Sequence, residues 1–208
     1  MSQKNDSVLL RLTTTFFLLA HFSIEDSRDS IRHGEHGLLW TTLILCFLPV
    51  FKRSEVEPRR RSVAYLRRFG LAQFMLLFFY FMAGAVKIVT AVVQLANGER
   101  TLFHPDAGAL IISEWLLRGD ASSLMGRWCV EHNYASWLGV LSGVCFELLA
   151  IAPLFWRRMQ NVVGMGLICM HIGIGLSMDV WFPENVALLA LLILAGPYLA
   201  PSTRPSGR

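Results

Sequence analysis

Charged residues are scarce in this chain: Asp, Glu, Lys and Arg make up 16% of its 208 residues, and 54% are hydrophobic. A soluble domain carries about 25% charged residues, so this composition excludes an ordinary soluble enzyme. Cysteines are few as well, and the four present have no repeated spacing, which excludes a disulfide-stapled miniprotein. The same composition also excludes disordered, collagen-like and coiled-coil proteins.

The common catalytic and metal-binding signatures are also missing. No Cys-x-x-Cys occurs, so a thiol–disulfide relay is not expected, and the histidines lack the H-x-x-x-H spacing of a zinc helix. Nor is there a G-x-S-x-G elbow, a phosphate loop or a dinucleotide fingerprint. No metal site is predicted, and any chemistry must come from other residues.

Long apolar runs are what the chain has instead. About 20 helical residues cross the hydrocarbon core, and six runs of roughly that length predict an all-α polytopic membrane helix bundle. We expect one membrane domain over residues 1–200 and a disordered tail over 201–208. The predicted spans are residues 8–24, 36–52, 69–95, 136–156, 161–181 and 184–199.

The basic residues predict how these spans are oriented. They cluster between spans two and three, between spans four and five, and in the tail: Lys52, Arg53, Arg59, Arg60, Arg61, Arg67, Arg68, Arg157, Arg158, Arg204 and Arg208. With six spans all these segments lie on one side, which the positive-inside rule makes cytoplasmic together with both termini. The run Arg59–Arg61 then faces lipid headgroups, so membrane lipids are expected as partners and nucleic acid is not.

The connection over residues 96–135 is the longest and is expected on the outer side. Within it, Ala107–Leu117 predicts an apolar helix at the membrane interface, anchored by Trp115, Trp128 and Trp137. The same segment could act as a lid.

Ionisable residues inside the spans are the candidate site. Each costs about 2.5 to 3.5 kcal/mol on insertion scales, so it is a functional hypothesis by default. Helical spacing places these residues on glycine-bearing faces of spans three, four and five: Tyr80, Gly84 and Lys87; Gly139, Gly143 and Glu147; Gly164, His171, Gly175 and Met178. His21, His33 and His36 lie near the outer interface, and Asp179 lies at a helix end beside Trp181 and Pro183.

Two interpretations of this set stay open. A lysine in low dielectric can lose its proton, which would make Lys87 a general base. A charged Glu147 close by would oppose this. The two residues are then either a structural ion pair, or the carboxyl is protonated or directed elsewhere, towards His171 for example.

The run Tyr80-Phe81-Met82-Ala83-Gly84-Ala85-Val86-Lys87-Ile88 resembles the Tyr-Phe-x-Ala-Gly-x-x-Lys-Leu segment of the vitamin K-dependent gamma-carboxylases and of the bacterial horizontally transferred transmembrane (HTTM) proteins. Further matches follow in the same order as in the family. They are the His-containing helix start at His33–Leu39, the acidic residue Glu147, and the His-bearing span that runs from Met170 through His171 and Met178 to Leu188. The resemblance covers residues 31–198 and implies a bacterial cytoplasmic membrane protein.

The resemblance implies that Lys87 is the base that deprotonates a reduced naphthoquinone (a vitamin K or menaquinone hydroquinone). The quinone then reacts with O2 to give a strong base, and a glutamate carbanion of a peptide captures CO2. His171 and Glu147 would support Lys87, and Tyr80, Gly84, His33 and Met178 would contact the quinone.

The chain departs from the family in two places. It reads Val89-Thr90-Ala91-Val92 where the family has an acid and a Trp, and the carboxylases' large extramembrane domain is not expected, because the chain ends soon after span six. Two alternatives to a carboxylase follow: a DoxX/MauE-like quinone-linked redox protein, and a non-enzymatic accessory protein for peptide maturation that holds a partner against the Gly139 and Gly143 face.

Overall fold

The computed structural model describes residues 9–17, 58–118 and 123–196, and single residues at 20, 41, 43, 44 and 46. Residues 9–17 are helical. The further elements are α1 (Pro58–Ala96), α2 (Ala107–Arg118), α3 (Leu124–Glu131), α4 (Asn133–Leu149), a 3-10 turn (Ala152–Leu154), α5 (Met159–Met178) and α6 (Pro183–Leu188), which continues as a π-helical segment (Leu189–Leu194). These ranges contain no strand, which confirms the all-α class.

Three helices in the described ranges are long and apolar enough to cross a bilayer: Val63–Ala96, Asn133–Leu154 and Met159–Met178. Their outward side chains are apolar as well, and Val89 and Leu138 expose more than half of their surface. Such a surface suits lipid and is unfavourable in water. The helices therefore indicate a membrane protein.

The count of six spans and the cytoplasmic termini stay predictions. The first predicted span is described only at residues 9–17 and 20, and the second lies largely outside the described residues. The sixth corresponds to Pro183–Leu194, an apolar helix shorter than the other three.

Helix α1 begins earlier than the sequence predicts. It has 39 residues and starts at Pro58, so Arg67 and Arg68 lie in the helix and not in a loop. Proline suits a helix start because its missing N–H would be unpaired there in any case. At 1.5 Å per residue α1 is about 58 Å long, against a hydrocarbon core of about 30 Å, so one end must leave the bilayer.

Helix α5 ends earlier than predicted, at Met178 instead of residue 181. Asp179 adopts a left-handed conformation with φ of 56°, and its N–H donates to Gly175 O at 3.0 Å. Its Oδ1 accepts from Trp181 Nε1 at 3.2 Å. Asp179 therefore caps the end of the helix, beside Trp181 as the sequence predicts.

Close approach of α1 to α4 depends on Gly84. A Cβ added there would lie 2.9 Å from Glu147 Cβ and 3.0 Å from Leu148 N, so the two helices meet at van der Waals distance across a bare backbone. Small residues serve this purpose in membranes because helices in lipid associate largely through close packing.

Closer to its start, α1 packs into a buried cluster with α5 and the π-helical segment, which includes Leu76, Leu77, Leu167 and Ile193. The π-helical segment bonds with a longer spacing than an α-helix, as Ala195 N to Ala190 O shows. Two buried glutamines contact its carbonyls: Gln73 Nε2 donates to Leu192 O, and Gln160 Nε2 donates to Ile193 O at 2.5 Å. Helices α1 and α5 are thereby tied to the last helix by polar groups that lipid cannot satisfy.

Residues 97–118 and 123–131, here called the cap, cover one end of α4 and α5. Gly108 of α2 packs against the backbone of Ser136, and Trp137 Nε1 donates to Leu102 O at 3.0 Å. On the α5 side, Ser123 Oγ donates to Leu176 O. Helix α2 matches the predicted helix Ala107–Leu117, whereas α3 was not predicted.

The tryptophans of the cap region differ in exposure. Trp115 and Trp128 expose 46% and 45% of their surface. Trp137, by contrast, is tied to the cap backbone. The cap is therefore anchored to both α4 and α5. That the segment acts as a lid stays a prediction.

Replacing Gly84 should separate α1 from α4. In Gly84→Ala the new Cβ meets Glu147 and the Leu148 backbone, and overpacking of this kind costs about 1 to 3 kcal/mol. Gly139→Ala is the matched control, because a Cβ there meets nothing within 4 Å. Thermal unfolding in detergent should show a lower Tm for Gly84→Ala and an equal or higher one for Gly139→Ala. Equal Tm values for the two variants would contradict this account of the α1–α4 contact.

Candidate functional site

Lys87 of α1 and Glu147 of α4 form an ion pair. Lys87 Nζ lies 2.5 Å from Glu147 Oε1 and 2.7 Å from Oε2, so both carboxylate oxygens accept from one ammonium. The Glu147 side chain is 6% exposed and the Lys87 side chain is 50% exposed. The carboxylate is thus enclosed while the ammonium has one open side.

The position of Gly84 explains this asymmetry. It lies one turn before Lys87 on α1, and the missing Cβ admits the backbone of α4 at Glu147. The carboxylate is therefore covered by the helix contact itself. The longer lysine side chain reaches it from the next turn of α1.

The open side of Lys87 faces a cavity of about 810 Å³. Its wall is built by α1, α4, α5 and the cap, and it is mostly apolar. Among the residues that line it are Lys87, Arg100, Gly139, Cys169, Gly173 and Met178.

Glycines leave backbone bare on two helices of this wall. A Cβ at Gly139 or Gly173 would meet nothing within 4 Å. Gly143 contacts Met170. Gly164 is packed against Ile193, and Gly175 is packed against Trp181. Of the glycines expected to leave room, Gly139 does so and the others mainly serve helix packing.

Tyr80 and His171 form a second polar pair. Tyr80 Oη and His171 Nε2 are 2.6 Å apart, and both residues are buried. The imidazole also packs edge-on against Phe182, with ring centroids 5.4 Å apart. His171 Nδ1 is buried and has no hydrogen-bond partner in the described part of the chain. This pair joins α1 to α5 and is not part of the cavity wall.

The structure therefore divides the residues predicted as one site. Lys87 and Met178 line the cavity, while Glu147 and Gly84 lie behind Lys87. Tyr80 and His171 bond to each other elsewhere in the bundle. His33, with His21 and His36, lies outside the described residues.

The described residues contain no group of three His, Cys, Asp or Glu side chains close enough to bind a metal ion. The cysteines are free: Cys129 and Cys169 line the cavity, and Cys145 is exposed away from it. Burial raises the pKa of the Cys129 thiol, which lies in the cap, and this disfavours its reactive thiolate.

Sequence reasoning did not identify the cap residues of the wall, Arg100 among them. The available signal was Asn97-Gly98 directly after a long apolar run, which predicts a helix end at this point. It does not predict that the following residues return over the bundle.

Comparison of the chain with known protein families, with curated proteins and with solved structures gives no match.

Removing Lys87 alone should lower the free energy of unfolding more than removing Lys87 and Glu147 together. Lys87→Met leaves the Glu147 carboxylate enclosed without its cation, and breaking a buried pair in this way costs about 3 to 5 kcal/mol, less where solvent reaches the site. The double variant Lys87→Met/Glu147→Leu removes both charges and should regain most of the loss. Unfolding of the single and double variants measures the coupling. Additive losses would show that the two side chains do not stabilise each other.

Proposed function

We propose that this chain is a membrane protein whose cavity binds a reduced naphthoquinone, with a phenolic hydroxyl at Lys87 Nζ. One observation carries the proposal: an ammonium held by a buried carboxylate opens onto a mainly apolar cavity of about 810 Å³. Ligand pockets for molecules of this class measure about 300 to 1,000 Å³ and combine apolar walls with a few polar groups. The bare backbone at Gly139 and Gly173 leaves space against which a flat ring can lie.

When bound, the reduced naphthoquinone would supply an acidic hydroxyl and, on reaction with O2, the strong base that the family resemblance implies. The chain's own part is to orient the ligand and to take up the proton of its hydroxyl. Glu147 fixes the Lys87 ammonium with two hydrogen bonds and leaves its third N–H for the ligand oxygen. Lys87 can accept a proton only after one of its own has moved to Glu147, and the short Nζ–oxygen distances suit that transfer.

The apolar wall has a second task, which is to keep water from the reacting groups. The cap contributes by covering one end of α4 and α5. Tyr80 and His171 are then positioning residues: their hydrogen bond holds α1 against α5 and so holds the helix that carries Lys87.

The resemblance extends the proposal to an enzyme that carboxylates peptide glutamate with O2 and CO2, located in a bacterial cytoplasmic membrane. A second candidate function is an accessory protein without catalysis. The complete pairing of Lys87 with Glu147 favours it, because an ion pair of this geometry also serves to join two helices. Binding of a quinol separates these candidates.

Binding of reduced menaquinone to purified protein in detergent should be saturable and should depend on Lys87. Lys87→Met/Glu147→Leu is the informative variant, because it removes the ammonium without leaving a carboxylate unpaired. Arg118→Met is the control, since Arg118 is an exposed cation that pairs with Glu114 outside the cavity. Under O2 the bound quinol should also be converted to the quinone epoxide, the product that the family resemblance implies. Loss of both binding and epoxide formation in the first variant alone supports the proposal. Equal binding by all three proteins would overturn it, and the accessory function would then take precedence.

Cysteine labelling locates the ligand independently. In single-cysteine variants, a membrane-permeable maleimide should react with both Cys169 and Cys145, because both are exposed. Saturating menaquinol should slow the labelling of Cys169, which lines the cavity, and leave Cys145 unchanged. Equal rates with and without menaquinol at Cys169 would place the ligand elsewhere.

A further inference from the structure

Arg100 is placed at the cavity by the way α1 ends. Gly98 has a φ of 74°, its N–H donates to Leu95 O at 3.1 Å, and Glu99 N donates to Gln94 O at 2.9 Å. These two bonds are a Schellman motif, which stops a helix and turns the chain sharply. Arg100 follows directly and lines the cavity.

The residues after Arg100 hold it there. Thr101 is buried, and its Oγ1 accepts from Phe103 N at 3.1 Å. Thr101 O accepts from His104 N at 2.9 Å, and Leu102 O accepts from Trp137 Nε1 at 3.0 Å. Arg100 is thus fixed on both sides by hydrogen-bonded backbone.

The charge of Arg100 is not balanced. Within the described part of the chain it forms no ion pair, and the cavity wall includes Lys87, Arg100 and His104 but no carboxylate. Glu147 already neutralises Lys87. Two acids of the cap are close to Arg100 in the chain, and neither lines the cavity: Glu99 directly precedes it without forming an ion pair in the described residues, and Asp106 accepts from Asn133 at 2.8 Å and lies 3.5 Å from His104. The wall therefore carries an excess positive charge at Arg100.

Lys87 and Arg100 line different parts of the wall. Lys87 precedes the end of α1 at Ala96 by nine residues, which is about 14 Å along a helix, whereas Arg100 follows that end. Thr90 and Gln94, which lie between them in the chain, also line the cavity and add hydrogen-bonding groups. The wall therefore offers two cations, one on the helix and one on the cap.

We infer that Arg100, with Gln94 and Thr101, holds the phosphate of an anionic membrane lipid, whose acyl chain lies against the apolar wall of the cap. This inference rests on the proposed function in one respect only, which is that the lipid and the quinol occupy the same cavity. A planar guanidinium donates two parallel hydrogen bonds to a phosphate and keeps its charge under all conditions. The apolar lining from Leu110, Ile111 and Met125 suits a hydrocarbon chain more than a water-soluble phosphate.

Lipid binding to purified protein in neutral detergent tests the inference, with phosphatidylglycerol, phosphatidylcholine and inorganic phosphate as probes. Arg127→Gln is the matched control, because Arg127 is an exposed cap arginine that does not line the cavity. Phosphatidylglycerol should bind Arg100→Gln about tenfold more weakly than wild type, as expected for loss of a charged hydrogen bond, and Arg127→Gln normally.

Three outcomes would overturn the inference: equal phosphatidylglycerol affinity in Arg100→Gln and wild type, equal affinity for phosphatidylcholine, or full competition by inorganic phosphate at comparable concentration. Menaquinol binding by Arg100→Gln separates this inference from the proposed function. Retained quinol binding with weakened lipid binding assigns the two ligands to different parts of the cavity. The Lys87→Met/Glu147→Leu variant gives the converse test. Loss of quinol binding with normal lipid binding in that variant also assigns the two ligands to different parts of the cavity.

Discussion

The burial of Glu147 is the constraint on which the rest of the site depends. A carboxylate enclosed between helices in an apolar bundle is unfavourable unless a cation meets it, and Lys87 does so with both oxygens engaged. That pairing requires α1 and α4 to approach closely, which Gly84 permits. The lysine is left half open towards the cavity, so one contact both joins the helices and presents a positive group to a ligand.

Polar side chains elsewhere in the bundle follow the same rule, that lipid offers no hydrogen bonds. Gln73 and Gln160 bond to carbonyls of the π-helical segment, and Tyr80 bonds to His171. These contacts tie α1 and α5 to each other and to the last helix. On the cap side α1, α4, α5 and the cap enclose a cavity, and bare backbone such as Gly139 enlarges it.

The cap determines the character of that space. It is bonded to both α4 and α5, so it forms a fixed wall, and it adds Arg100 to a cavity that would otherwise carry the neutralised Lys87 as its main charged group. Two positive groups and a mainly apolar lining fit amphiphilic ligands. The proposed quinol and the inferred lipid phosphate use different cations of this one cavity.

Composition and apolar runs were sufficient to predict an all-helical membrane protein and the positions of α1, α4 and α5, because lipid demands long apolar helices. The sequence also identified Lys87 and Glu147 as candidate site residues, because an ionisable side chain within an apolar span is costly. Only the tertiary structure decided which groups meet. Lys87 with Glu147, Tyr80 with His171, and Arg100 at the cavity wall depend on helix rotation, on the early end of α5 at Asp179 and on the return of the chain over the bundle. Helical periodicity assigns a residue to a face of its own helix, but the neighbour of that face is set by contacts between residues distant in the chain.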